Sequence, residues 1–181
     1  METLVIFILA LGLAMDCFAI AISNSDLSGT VKAGVPLKLA IAFAFAHLVL
    51  LFAGYHLGSS LQSLFLGAER FVALFVFLFI GSKMIMDARK RKPQSKVFDI
   101  NATRVIVVLS IASGIDAFLA GIALGINGLK IYLAGLLVAL TVFVFTLGGM
   151  AGGRHFGMPF SKTIAIIGGL LLIMGGISFM F

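Results

Sequence analysis

The chain has 181 residues, of which 61% are hydrophobic and only 11% are charged, and its mean hydropathy is +1.21. This composition excludes a soluble globular domain and is typical of a polytopic membrane protein. The net charge of +6 could indicate nucleic acid, but the basic residues lie in short segments between apolar stretches. We therefore interpret the charge as a topology signal and expect no nucleic-acid partner.

Six apolar stretches are long enough to cross a bilayer. A helix of about 20 residues covers about 30 Å, the thickness of the hydrocarbon core. The stretches lack the alternation of barrel strands, so helices satisfy their backbone in lipid. The sequence predicts an all-α integral membrane protein, a single transmembrane domain of residues 1–181 with six transmembrane helices. The stretches span about residues 3–23, 35–57, 69–87, 104–126, 130–151 and 162–181.

The first stretch carries an aspartate in its middle, in the phrase Met15-Asp16-Cys17-Phe18-Ala19. A carboxylate near the bilayer centre costs about 2.5–3.5 kcal/mol on insertion scales, which favours a functional role. Ser23 follows two helical turns later on the same face, and Asn24 lies slightly round the helix. Asp16, Ser23 and Asn24 are therefore candidate cation ligands. Cys17 points about 100° away on the helix, so we interpret it as a packing residue.

The second and third stretches each contain one polar residue of interest. His47 lies mid-span, where it could be a ligand or proton relay, or equally a packed histidine bonded to a backbone carbonyl. Lys83 lies toward the end of the third stretch. We expect it to reach the membrane surface and to pair with Asp87, four residues later.

Residues 88–103 form a polar linker that divides the chain into repeat one, 1–87, and repeat two, 104–181. The first, third and fifth loop regions hold ten basic residues and the other two hold Arg70 and Lys130. By the positive-inside rule the odd-numbered loops are cytoplasmic, and both termini lie outside.

The fourth stretch repeats the phrase of the first, as Ile115-Asp116-Ala117-Phe118-Leu119, 100 positions later. Ser113 lies three residues before Asp116, and Asn127 eleven after it, which adds two candidate ligands. The alignment also pairs Phe18 with Phe118. Three helices per repeat is an odd number, so the second repeat is inverted. Inverted repeats with a site near the midplane are a transporter architecture.

Glycines at four-residue spacing predict close helix contacts. They occur as Gly54 and Gly58, Gly121 and Gly125, and Gly148 and Gly152, with the pairs Gly168-Gly169 and Gly175-Gly176 in the last stretch. These small-residue stripes would also permit a homodimer.

Two carboxylates with hydroxyl and amide oxygens suit a hard divalent cation such as Mn²⁺ or Mg²⁺. Two negative charges would neutralise the ion, and an empty pair would hold a proton that metal binding releases, which suits proton-coupled exchange. The alternative is that each aspartate hydrogen-bonds a neighbouring helix. Enzyme signatures are absent from the sequence, and we expect no enzyme activity and no cofactor, with the metal as transported substrate.

Three phrases carry a family resemblance: residues 11–19 (LGLAMDCFA), 81–85 (GSKMI) and 114–118 (GIDAF). They resemble the MntP family of manganese efflux pumps, in the lysine-exporter superfamily. The resemblance covers essentially the whole chain. It implies Mn²⁺ export across the bacterial plasma (inner) membrane, with Asp16 and Asp116 in the transport site.

One departure marks the chain as a divergent member. Where exporters of the family carry a glutamate in the second helix, this chain has His47, and a following proline is missing. Imidazole suits Zn, Ni, Cu and Fe, so the identity of the metal stays open. Two alternatives also stay open: export of an amino acid or other small cation, and a non-transporting membrane protein of the same family.

Overall fold

The structure, a computed structural model, describes residues 2–25, 34–90 and 100–178, without the side chains of residues 2, 90 and 153–159. Six segments of its helices are long and apolar enough to cross a membrane. The prediction of an all-α integral membrane protein with six transmembrane helices is confirmed. The elements are α1 (Glu2–Ser25), α2 (Val35–Leu61), a 3-10 turn (Gln62–Phe65), α3 (Glu69–Lys90), α4 (Thr103–Ile126) and α5 (Ile131–Ser178).

The helix α5 contains two crossings, a first leg, Ile131–Gly152, and a second leg, Phe160–Ser178. Along the first leg, later residues contact later residues of α1, so the two run parallel. Along the second leg, later residues contact earlier residues of α1, so the two run antiparallel. The chain therefore reverses direction between the legs. The contacting pairs are Thr141 with Ala10, Gly149 with Phe18, Ser161 with Ala19, and Gly168 with Gly12.

Two glycines in the left-handed conformation lie next to helix ends. Gly34 precedes α2 with φ 96°, a left-handed conformation that favours glycine, and Pro36 occupies the first turn, where its missing N–H costs nothing. Gly128 takes φ 64° just after α4. The side chain of Asn127 donates to Glu69 O at 3.1 Å, which ties the end of α4 to the start of α3.

The flanking helices extend into the predicted linker 88–103 from both sides. The helix α3 continues to Lys90, and α4 begins at Thr103. The basic residues within 91–99 lie outside the described residues. Their role in orientation stays a prediction.

The helix α1 is the central element of the bundle. In its most hydrophobic stretch 61% of the residues are buried, against 33–44% in the other five crossings. It packs mainly on the two legs of α5, while α2 packs mainly on α4 and α3 mainly on α5. Among the described residues, α1, α2 and α3 make few contacts with one another. The two halves of the chain therefore interlock.

The crossing of α2 and α4 brings backbone against backbone. A Cβ at Gly54 would overlap the carbonyl of Phe118, and a Cβ at Gly121 would overlap that of Leu51. The contact positions rise together along both helices, so α2 and α4 run parallel. The helix contacts predicted for these glycines are confirmed. Gly148 differs, because it is exposed and a Cβ there would lie 3.6 Å from the ring of Phe18.

Candidate functional site

Polar side chains from four helices meet inside the bundle. Each lies near the middle of its helix or within the hydrophobic part of it, and so at membrane depth. We call this group the polar cluster. Its members are Asp16 and Cys17 of α1, His47 of α2, Lys83 of α3, and Ser113 and Asp116 of α4.

The first link of the polar cluster joins α1 to α4. The buried Ser113 Oγ donates to Asp16 Oδ2 at 3.0 Å. Asp116 follows Ser113 by three residues, so it occupies the same face of α4 one turn on. The structure therefore brings together three of the residues predicted as ligands, Asp16, Ser113 and Asp116.

The second link joins α3 to α4, and it differs from the pair expected from the sequence. Lys83 Nζ lies 2.6 Å from Asp116 Oδ1. The Asp116 side chain is 10% exposed and that of Lys83 is 40% exposed. The predicted pair of Lys83 with Asp87 is not the one the structure shows. Asp87 is exposed at the helix end, where an ion pair contributes little, whereas a carboxylate inside the bundle needs a partner.

A sequence signal for this pair does exist. Lys83 lies six residues before Arg89, the end of the crossing, and so about 9 Å inside it at 1.5 Å per residue. A lysine at such depth in an apolar helix indicates a partner in a neighbouring helix. The sequence does not show which acid is at the same depth.

The third link reaches α2 through Cys17. His47 Nδ1 lies 2.9 Å from Phe43 O, which fits a ring N–H that donates to this carbonyl. His47 Nε2 lies 3.5 Å from Cys17 Sγ, and the same sulfur lies 3.6 Å from Ser113 Oγ. Both Cys17 and His47 are fully buried. The backbone bond that one interpretation of His47 predicted is present, and its role as a ligand stays a prediction.

Three other predicted ligands lie away from the polar cluster and bond backbone carbonyls. Ser23 Oγ donates to Ala19 O at 2.8 Å, and Asn24 Nδ2 donates to Ile20 O at 2.8 Å. Asn127 bonds at the far end of α4, as described above. The structure does not bring these side chains to Asp16 and Asp116.

The polar cluster contains the ligand types that a hard cation prefers, but these side chains bond one another and Lys83. Its carboxylate and hydroxyl oxygens suit Mn²⁺ or Mg²⁺. Within the described ranges, no three His, Cys, Asp or Glu side chains are placed to hold a metal ion together. Instead, the ammonium of Lys83 neutralises one carboxylate.

The fold and the polar cluster define a multi-pass α-helical membrane protein with an ion pair inside its helix bundle. A family model described as "Putative manganese efflux pump" matches residues 30–180. The chain belongs to the MntP family.

Relatives named "Putative manganese efflux pump MntP" match nearly the full chain. The protein from Crocosphaera subtropica is 35% identical, over 97% of this chain and 94% of its own length. Those from Methanosarcina mazei and Gloeothece citriformis are 32% and 30% identical, over 98% and 97% of this chain and 95% and 93% of their own lengths. No solved structure matches the chain.

Proposed function

We propose that the protein is a secondary transporter that exports Mn²⁺, or a similar divalent cation, through a site containing Asp16 and Asp116. Membership of the MntP family supports the substrate. The observation that carries the site is the hydrogen bond from Ser113 of α4 to Asp16 of α1. In this hydrogen bond the carboxylate of Asp16 lies beside Ser113, which precedes Asp116 by one turn on the same face of α4.

The chemistry of the two carboxylates supports export coupled to protons. Their two negative charges match a divalent ion, which offsets the cost of burying either. When the ion leaves, the Lys83 ammonium balances one carboxylate, and a proton taken up by the site balances the other, since two charged carboxylates repel each other. The next metal ion would release that proton, so exchange of metal for protons follows.

Packing contacts support the relation of the two halves as inverted repeats. Gly54 approaches the carbonyl of Phe118, and Gly149 approaches the carbonyl of Phe18. Phe18 and Phe118 are the two residues that the repeat pairs. This correspondence matches Gly54 with Gly149, an offset of 95 residues, close to the 100 that separate Phe18 from Phe118.

Replacing Asp16 by asparagine tests the site. Cells that express the chain should tolerate high Mn²⁺ and hold less of it, and Asp16→Asn should lower the efflux rate about 100-fold or more, because metal sites lose up to that factor even from outer-shell changes. Efflux of ⁵⁴Mn²⁺ from loaded cells measures this. The matched control is Glu69→Gln at the start of α3, where the exposed carboxylate accepts a hydrogen bond from Gly67 N away from the polar cluster. This variant should behave as wild type.

Two outcomes would count against the proposal. The first is that expression of the wild-type chain changes neither Mn²⁺ tolerance nor Mn²⁺ content. The second is that Asp16→Asn and Glu69→Gln export at equal rates at equal membrane abundance. Efflux of a different divalent cation through an Asp16-dependent route would retain the site and change the substrate.

The predicted orientation, with both termini outside the cytoplasm, can be tested with phosphatase fusions. A phosphatase active only outside the cytoplasm should be active when fused after residue 178 and inactive when fused within the linker at residue 95. The reason is the excess of basic residues in the odd-numbered loops. The reverse activities would place both termini in the cytoplasm.

A further inference from the structure

Lys83 already forms an ion pair with Asp116, one of the two carboxylates of the proposed site. Its Nζ lies 2.6 Å from Asp116 Oδ1, at the distance of a strong charge-assisted hydrogen bond. The position that a transported cation would take beside Asp116 is therefore filled by a side chain of the protein.

We propose that Lys83 is a tethered competitor of the transported cation. Its ammonium holds Asp116 when the cation is absent and withdraws when the cation binds. This inference rests on the proposed function, and it assigns Lys83 the role of setting the affinity of that site.

The exposure of the two partners favours movement of the lysine. Asp116 is enclosed, with 10% of its side chain exposed, whereas 40% of the Lys83 side chain reaches the surface of the bundle. Lysine carries a compact, strongly hydrated ammonium on a flexible four-carbon stem, so it can leave a carboxylate without a change in the helices.

A second carboxylate lies within reach on the same helix. Asp87 is four residues after Lys83, and so neighbours it on the helix surface one turn toward the exposed end. Lys83 thus has an inner partner, Asp116, and an outer partner, Asp87. Withdrawal exchanges one ion pair for the other and leaves no ammonium without a counter-charge.

Electrostatic repulsion requires the withdrawal. A divalent cation shared by Asp16 and Asp116 would lie next to an ammonium that stayed on Asp116. Like charges at that separation repel strongly inside a protein. The cation and the ammonium therefore exclude each other at this carboxylate.

The competition lowers the apparent affinity for the cation. The apparent affinity is the intrinsic affinity multiplied by the fraction of empty molecules in which Asp116 is free of Lys83. If Lys83 holds Asp116 in about nine of ten empty molecules, its removal should tighten cation binding about tenfold.

Binding of Mn²⁺ to the full chain in lipid nanodiscs tests the inference, with free Mn²⁺ measured by electron paramagnetic resonance. Lys83→Met should bind Mn²⁺ about tenfold more tightly than wild type, and Lys83→Arg, which keeps the charge, should remain near wild type. The control Lys38→Met removes an exposed lysine at the start of α2 and should change nothing. In an Asp116→Asn background, Lys83→Met should give no gain.

A second readout uses the wild-type chain and does not depend on the folding of a variant. Modification of the Lys83 amine by an acylating reagent, measured by mass spectrometry, should increase when Mn²⁺ is added, while that of Lys38 stays constant. Unchanged modification of Lys83 at saturating Mn²⁺ would overturn the inference, as would equal or weaker binding by folded Lys83→Met. If wild type binds Mn²⁺ through Asp16 and Lys83→Met does not bind it more tightly, only the inference fails. If neither protein binds a divalent cation, the proposed function fails with it.

Discussion

Replacing Gly54 by alanine should destabilise the protein, although alanine is the better helix former. The added Cβ would overlap the backbone carbonyl of Phe118, and a backbone carbonyl cannot turn aside as a side chain can. Overpacking costs about 1–3 kcal/mol, and this contact lies in the crossing that joins α2 to α4. Helix propensity alone predicts the opposite sign, a gain of up to about 1 kcal/mol. Thermal unfolding of the purified protein in one detergent measures the difference.

Gly148→Ala is the matched control. Gly148 also belongs to a four-residue glycine spacing, but it is exposed and its added Cβ would meet ordinary contact distances. We expect its stability to be unchanged or slightly higher. Equal destabilisation by Gly54→Ala and Gly148→Ala would mean that the close crossing of α2 and α4 is not the cause.

Replacing Asp116 by asparagine should destabilise the protein by about 1–2 kcal/mol, and a second change, Lys83→Met, should recover most of the loss. The single change leaves the Lys83 ammonium beside a neutral amide. Breaking a buried ion pair costs about 3–5 kcal/mol, while replacing both partners by neutral groups is often close to neutral. Lys83 is partly exposed and can move to Asp87, so the expected cost lies below that range.

Measurements of unfolding and of transport separate two roles of Asp116, its ion pair with Lys83 and its proposed part in cation binding. The double variant should unfold near the wild-type temperature and should still fail to export Mn²⁺, because the carboxylate of the proposed site is missing. Lys83→Met alone gives the remaining corner of the double-mutant cycle. Equal stability of Asp116→Asn and wild type would mean that the ion pair contributes nothing to the fold.

The six crossings were predictable because each one is a local property of the chain. A segment in lipid must satisfy its own backbone, so length and apolar character alone identify it. The partner of Lys83 was not predictable in this way. It depends on the relative depth and rotation of α3 and α4, which are set by contacts such as that between Asn127 and Glu69.

The sequence predicted only part of the candidate site, because helical spacing gives the face on which a residue lies and not its neighbours on other helices. Helical spacing correctly placed Ser113 on the face of Asp116, one turn away. The same spacing placed Ser23 on the face of Asp16, but two turns away, which is about 10 Å along the helix axis. Ser23 and Asn24 bond carbonyls four residues earlier in α1, a bond that serine and asparagine commonly make within helices. A shared face therefore does not imply a shared site.

The interlocked halves have a consequence for the order of synthesis. Among the described residues, α1, α2 and α3 pack on α4 and α5 far more than on one another. A ribosome that has inserted the first three helices has thus released them into lipid before their main partners exist. The central helix α1 must wait longest, because it is the first of the six crossings and part of its contacts come from the sixth, the second leg of α5. The nascent chain should therefore stay accessible to other membrane proteins, and to quality-control proteases, until the sixth crossing has been inserted.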